Sequence, residues 1–287
     1  MEEKMVNLIL AILSSALISV LMRFSERYSK NNMGMFMANY AVCVVMSRVF
    51  MGETSLFTTE KGISLAVLLG IVSGVLYLGN FVMLQKNMHY NGVVLSATFM
   101  KLGVLVPTVM AVVIFREVPT WMQLAGIALA LAAIIMIHFD GEESSGEERK
   151  SGKKIWLIVL LLLSGITDSM ANIYDKTANA GLKDHYLLYT FFAAFVIALI
   201  LGFRKKEAIR IWDVAFGILI GIPNYFSARF LLGALAEIAA VVVYPVYSVA
   251  TIVVISAAGM LLFKEKISNR KKAALGLIMG ALVLLNL

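Results

Sequence analysis

Four ionisable residues stand inside long apolar runs: Arg48, Lys101, Asp168 and Arg229. A charge in hydrocarbon costs several kcal/mol unless it meets water or a partner, so such residues mark places where a membrane chain does chemistry. Lys101 is the ninth residue of its run, about 12 Å deep at 1.5 Å per residue. That is further than a lysine stem recovers by reaching back to the interface. It therefore lines a wet cavity or forms a buried ion pair, for which Asp168, between Thr167 and Ser169, is the natural partner. Arg48 and Arg229 lie nearer the ends of their runs, where a long stem can reach the interface. Uncharged polar side chains gather at comparable levels: Asn39, Tyr40, Asn80, Gln85, Ser96, Thr98, Asn172, Asn224, Tyr225, Tyr244, Tyr247 and Ser248. Each can bond its own helix backbone. Taken together, Asn80, Asn172, Asn224, Tyr225, Tyr244 and Tyr247 with the four charges suit a substrate cavity offering hydrogen bonds as well as charge. Three cations against one acid favour an anionic or zwitterionic substrate, such as an amino acid or organic acid. Asp168 is the carboxylate suited to proton coupling.

Other chemistries find no constellation. The histidines His89, His138 and His185 are scattered at the ends of apolar runs without metal-ligand spacing. Clustered acids or a Ser–His pair, which an enzyme embedded in the membrane would need, are missing. No catalytic residue, metal or cofactor is expected. The lone cysteine, Cys43, has no disulfide partner and is read as packing. The net charge of +7 does not indicate nucleic acid, because the basic residues flank apolar runs in short clusters. No segment resembles a channel filter.

The elements that must hold these residues are helices in a bilayer. Of the 287 residues 60% are hydrophobic and only 15% charged, with a mean hydropathy of +0.87; soluble domains carry nearer a quarter charged residues. Runs near 20 residues are what a helix needs to cross a bilayer. Ten can be read, at about 5–22, 34–51, 62–84, 93–115, 121–139, 155–174, 185–203, 212–232, 239–263 and 273–287. Residues 1–22 could pass for a signal peptide, but Glu2 and Glu3 beside Lys4 argue against it. Trp121, Trp156 and Trp212 each open a run and read as interfacial anchors. Pro107, Pro223 and Pro245 lie in or near helix ends and kink them or free a carbonyl. Small-x3-small faces occur at Gly70/Gly74, Gly217/Gly221 and Gly276/Gly280, where helices can approach closely.

The charged, Gly/Ser-rich stretch 140–154 reads as a solvated linker. It separates halves that align without a gap at a shift of 148 residues (93 to 241). Val93-Val94 then falls on Val241-Val242, Phe115-Arg116-Glu117 on Phe263-Lys264-Glu265, Thr120 on Ser268, Tyr77 on Tyr225 and Met22 on Met170. The reading is a five-helix repeat at 1–139, the linker, and a second repeat at 155–287. An odd number of spans forces the second copy to cross in the opposite direction, the inverted-repeat plan of many secondary transporters. Duplication also supplies an internal control. Arg48 falls on Val196, Lys101 on Val249, Asp168 on Val20 and Arg229 on Phe81. The five-helix fold accepts apolar residues at those places, so the charges serve function.

Each repeat resembles the EamA-type unit of the drug/metabolite transporter superfamily. The resemblance is carried by the aromatic-basic-Glu tip of the fourth segment, followed by a polar turn and a small-residue fifth segment (Gly126 and Ala130; Ala274, Gly276 and Gly280). It implies an all-α integral membrane fold of ten transmembrane helices, with a central cavity lined by the first four helices of each repeat and the fifth and tenth outside. Glu117 and Glu265 are read as salt bridges or caps for the next helix. The expected function is secondary transport of a small polar metabolite across the plasma membrane by alternating access. A lipid flippase, a nucleotide-sugar carrier or a multidrug exporter on the same fold are the alternatives; the first segment lacks the acid that small multidrug exporters use. Monomer and homodimer both stay open. Orientation is contested between two arguments. The odd-numbered loops hold seventeen Lys and Arg against five on the side of the termini, which puts both termini outside, whereas the resemblance puts both in the cytoplasm.

Overall fold

The computed structural model of the chain describes residues 2–52, 58–91, 93–138, 155–205, 208–263 and 269–285. The linker 140–154 and Glu265 lie outside these residues, as do the side chains of Gln85, His89, Thr98 and His138. The described residues form eleven α-helices: α1 (Glu2–Ser25), α2 (Asn32–Phe50), α3 (Ile63–Asn91), α4 (Val93–Leu102), α5 (Leu105–Val113), α6 (Trp121–His138), α7 (Ile155–Thr177), α8 (Lys183–Lys205), α9 (Ile211–Leu235), α10 (Ala240–Phe263) and α11 (Asn269–Leu285). Seven of them are long and apolar enough to cross a membrane, and three shorter apolar stretches accompany them. Each of the ten expected runs is helical over most of its described residues, the fourth in two pieces.

Eleven helices arise from ten runs because the fourth breaks at Gly103 and Val104. There the backbone tightens to three-residue bonds, Gly103 N–H to Met100 O (3.1 Å), Val104 N–H to Lys101 O (3.2 Å) and Val106 N–H to Gly103 O (2.9 Å). Pro107 falls in the first turn of α5, where a missing N–H costs nothing. The positions matching Gly103 and Pro107 in the second half are Thr251 and Ile255, and α10 runs unbroken through both. Pro223 and Pro245 sit inside α9 and α10 without ending them.

The chain divides into two compact units, residues 1–78 with 173–237, and residues 79–172 with 238–287. Each draws on both halves of the sequence. In the first unit, α9 packs against α1 and α2, and α2 against α8. Two of the expected small-residue faces make its close crossings. A Cβ on Gly74 of α3 would come within 2.3 Å of Thr190 O on α8, and one on Gly217 of α9 within 2.4 Å of Met35 O on α2. These helices therefore approach backbone to backbone, as small residues permit in lipid.

In the second unit, α6 and α11 pack on each other through Gly126, Ala130, Ala133 and Ile134 against Ala274, Ile278, Ala281 and Leu285, all buried. The face expected at Gly276 and Gly280 is a correction: both are exposed and have no atom within 4 Å of where a side chain would begin. Larger residues on the opposite side of α11 make the contact instead. The Glu117 carboxylate accepts from the Val241 N–H (2.9 Å), which gives it a part in capping α10 as well. The helix that follows Glu117, α6, has its own reciprocal cap between Thr120 and Gln123. The turn leading to Glu117 passes through Arg116 at φ 56°, a left-handed conformation that aims the carboxylate.

Candidate functional site

Six of the ten expected site residues belong to the second unit. Lys101 is in the last turn of α4, immediately before the helix break. Asp168 is the fourteenth of 23 residues in α7. The two helices meet through glycine, since a Cβ on Gly165 would lie 2.5 Å from Gly103 O and 2.4 Å from the Val106 Cβ. Ser164 donates to Met100 O (3.2 Å), adding a partner for a carbonyl at the tightened turn. Thr167 and Ser169 turn their hydroxyls back onto Leu163 O (2.6 Å) and Gly165 O (2.7 Å), spending them on their own helix. Asp168 is left as the group at this level that faces outward.

Asp168 is exposed and Lys101 half-buried, although both sit well inside apolar helices. They lie within electrostatic reach of each other. Neither side chain makes a hydrogen bond or an ion pair within 4.0 Å to a described residue. The pair is thus oppositely charged but not in contact. Tyr244 of α10 fixes one wall, its hydroxyl donating to the backbone O of Asp168 (2.7 Å). Tyr247, one turn on, is partly exposed.

One turn beyond Asp168, the Asn172 side chain is fully buried, and both its amide nitrogen and its oxygen are without a hydrogen-bond partner among the described residues. The Asn80 side-chain oxygen in α3 is in the same condition. Buried polar groups are nearly always paired, so these two stand out as groups able to bond a ligand. The second unit therefore holds an unspent ammonium, an unspent carboxylate and two unspent amides.

The first unit contains the other four expected residues, and there they are engaged. Arg229 pairs with Asp184 in the first turn of α8. It also donates to the Tyr225 hydroxyl (2.8 Å) and lies over the Phe50 and Tyr225 rings, 5.3 and 5.9 Å from their centroids. Asn224 donates to Asn39 Oδ1 (3.2 Å). Arg48, exposed in the last turn of α2, donates to Gly52 O (2.7 Å), serving the carbonyl end of its own helix. Cys43 is buried, its thiol on Gly221 O (3.3 Å), which accords with a packing role.

Two residues with strong local roles were not singled out from the sequence. Asp184 looks like a loop charge at the start of a run, and nothing in the chain order pairs it with Arg229 45 positions away. Its counterpart 148 residues earlier is Phe36 and that of Arg229 is Phe81, so both partners replace apolar residues. Asp213 is fully buried and accepts from the Ser29 hydroxyl (2.7 Å) and from the N–H groups of Lys30 (3.0 Å), Asn31 (3.2 Å) and Arg210 (2.8 Å). Its place three residues into α9 is a capping signal legible in the sequence. The bonds to the α1–α2 turn are not. Among the described residues no group of three or more His, Cys, Asp or Glu could hold a metal ion.

Comparison with known proteins agrees with the helical architecture. Residues 5–139 match the EamA-like transporter family. An uncharacterized protein of Haemophilus influenzae is 25% identical over 268 residues, spanning 92% of this chain and 91% of that protein. A protein of known crystal structure, 12% identical, has the same fold at a TM-score of 0.73, across 99% of this chain and 96% of its own.

Proposed function

We propose that this chain, whose residues 5–139 match the EamA-like transporter family, is a membrane transporter of the drug/metabolite superfamily that moves a small anionic or zwitterionic metabolite, such as an amino acid or organic acid, by alternating access across the plasma membrane. The observation that carries the reading is the exposure of Asp168 in the middle of α7, opposite the half-buried Lys101. An ionised carboxylate facing hydrocarbon costs several kcal/mol, so that face of α7 is expected to look onto water. A wet charge pair within a bundle is what a polar substrate requires.

The unpaired amides of Asn80 and Asn172 support the same assignment, since each is a hydrogen-bonding group awaiting a partner. Tyr244 and Tyr247 line the neighbouring helix. Asp168 is also the group we assign to proton coupling, being a mid-span carboxylate exposed on its helix. Arg229, Tyr225, Asn224 and Arg48 play a supporting part, because their polar atoms are already spent on protein. The two sequence repeats, 1–139 and 155–287, supply the inverted halves that alternating access needs.

Uptake and efflux of labelled amino acids and organic acids in proteoliposomes tests the reading, comparing the wild type with Lys101→Ala. Transport should fall at least about tenfold in the variant, the loss expected when a charged group of the substrate is left unpaired. Transport unchanged by Lys101→Ala would remove Lys101 from the site and the reading with it.

A further inference from the structure

We infer that the site in the second unit is built for a small zwitterion that bridges Lys101 and Asp168, its carboxylate on the ammonium and its ammonium on the carboxylate. The inference rests on the transporter reading above and narrows it from anions and zwitterions to zwitterions alone. Counting charges in the sequence gives three cations to one acid and points toward an anion. The structure changes that count. Arg229 is neutralised by Asp184, a residue the sequence count left out, and further held by Tyr225 and Phe50. Arg48 is exposed at the end of α2, on Gly52 O. What is unspent is one positive and one negative group, a site with no net charge.

The geometry of that remainder also favours a bridge. Lys101 and Asp168 attract each other yet stay beyond 4.0 Å, with no hydrogen bond to bring them together. Lys101 stands beside the turn at Gly103, which lodges against Gly165, and the backbone carbonyl of Asp168 accepts from Tyr244. A net anion placed here would satisfy Lys101 but bring a second negative charge against Asp168. A plain amine would do the reverse. A molecule with both charges on neighbouring carbons satisfies both groups and cancels the field. Asn172, one turn from Asp168, offers an unpaired donor and an unpaired acceptor, matching a ligand that also has both.

The test uses wild-type protein in proteoliposomes and side-chain-matched probes. For each common α-amino acid that drives counterflow, the amine lacking its carboxylate and the acid lacking its amino group are offered in competition, with succinate as a plain anion. The zwitterion should compete at least about tenfold better than either one-charge congener. In Asp168→Asn the deaminated acid should gain on the zwitterion by a similar factor, because the repulsion is gone. That shift is read as a ratio within one protein preparation, so a loss of folded material does not imitate it.

Equal or better competition by the deaminated acid or by succinate in the wild type overturns the zwitterion assignment and leaves the transporter reading standing. A protein that moves organic acids but no amino acid overturns it likewise. Failure to move any amino acid or organic acid overturns both.

Discussion

The residues that matter most are two pairs of opposite charge in contrasting states. Arg229 and Asp184 are in contact and reinforced by Tyr225 and Phe50; Lys101 and Asp168 are opposed but apart. Different mutational signatures follow. Removing either member of the first pair leaves a partly buried charge alone, so Arg229→Ala and Asp184→Ala should each lower thermal stability in detergent. The double variant should lose less than their sum, with a coupling of about 1–3 kcal/mol. Strict additivity would mean that the pair contributes nothing. Asp213 belongs to a third kind, a buried carboxylate with four donors and no countercharge among the described residues. Its replacement by alanine strands three backbone N–H groups and should cost about 3 kcal/mol, seen as a lower unfolding temperature with substrate selectivity unaltered. The sequence exposes such residues unevenly. Lys101 and Asp168 stand out because their surroundings are apolar along the chain, whereas Asp184 and Asp213 sit at the ends of runs, where acids are ordinary. What distinguishes them is a partner on another helix, which chain order does not encode.

Among the helices, the apolar periodicity located every run, because hydrocarbon demands an unbroken apolar stretch of fixed length. It missed the break between α4 and α5, since Leu102, Gly103 and Val104 are as apolar as their neighbours. The break falls at Gly103, whose carbonyl Pro107 cannot bond four residues on, and Gly103 packs there against Gly165. The same limit applies to the glycine pairs. All three look alike in sequence, yet Gly70/Gly74 and Gly217/Gly221 sit in crossings while Gly276/Gly280 faces outward. Substitution separates them. Gly74→Leu and Gly217→Leu force apart backbones already in contact and should cost about 2 kcal/mol or more, lowering the yield of folded protein in size-exclusion profiles. Gly280→Leu should leave the profile unchanged. At the tip between α5 and α6, Glu117→Ala removes a carboxylate cap from α10 at a cost of about 1 kcal/mol. Glu117→Gln should recover much of that, because an amide oxygen still accepts the Val241 N–H.

At the scale of the molecule, the seventeen-to-five imbalance of basic loops predicts termini outside, against the family resemblance. A C-terminal reporter active only in the cytoplasm decides between them: silence supports the charge count, and signal shows that the resemblance is the better guide. The compact units add a feature that the repeats alone would not suggest. The first contains α1 and α2 packed on α9, and the second contains α6 packed on α11, so in both cases a helix from before the linker rests on one from after it. The Glu117 bond to Val241 joins the same two halves. Cutting the chain within 140–154 would therefore leave each fragment without its complement. Expressed singly, the fragments should be degraded. Expressed together from separate genes, they should find each other and restore transport, behaving as a heterodimer whose two subunits happen, in this protein, to be supplied on one polypeptide.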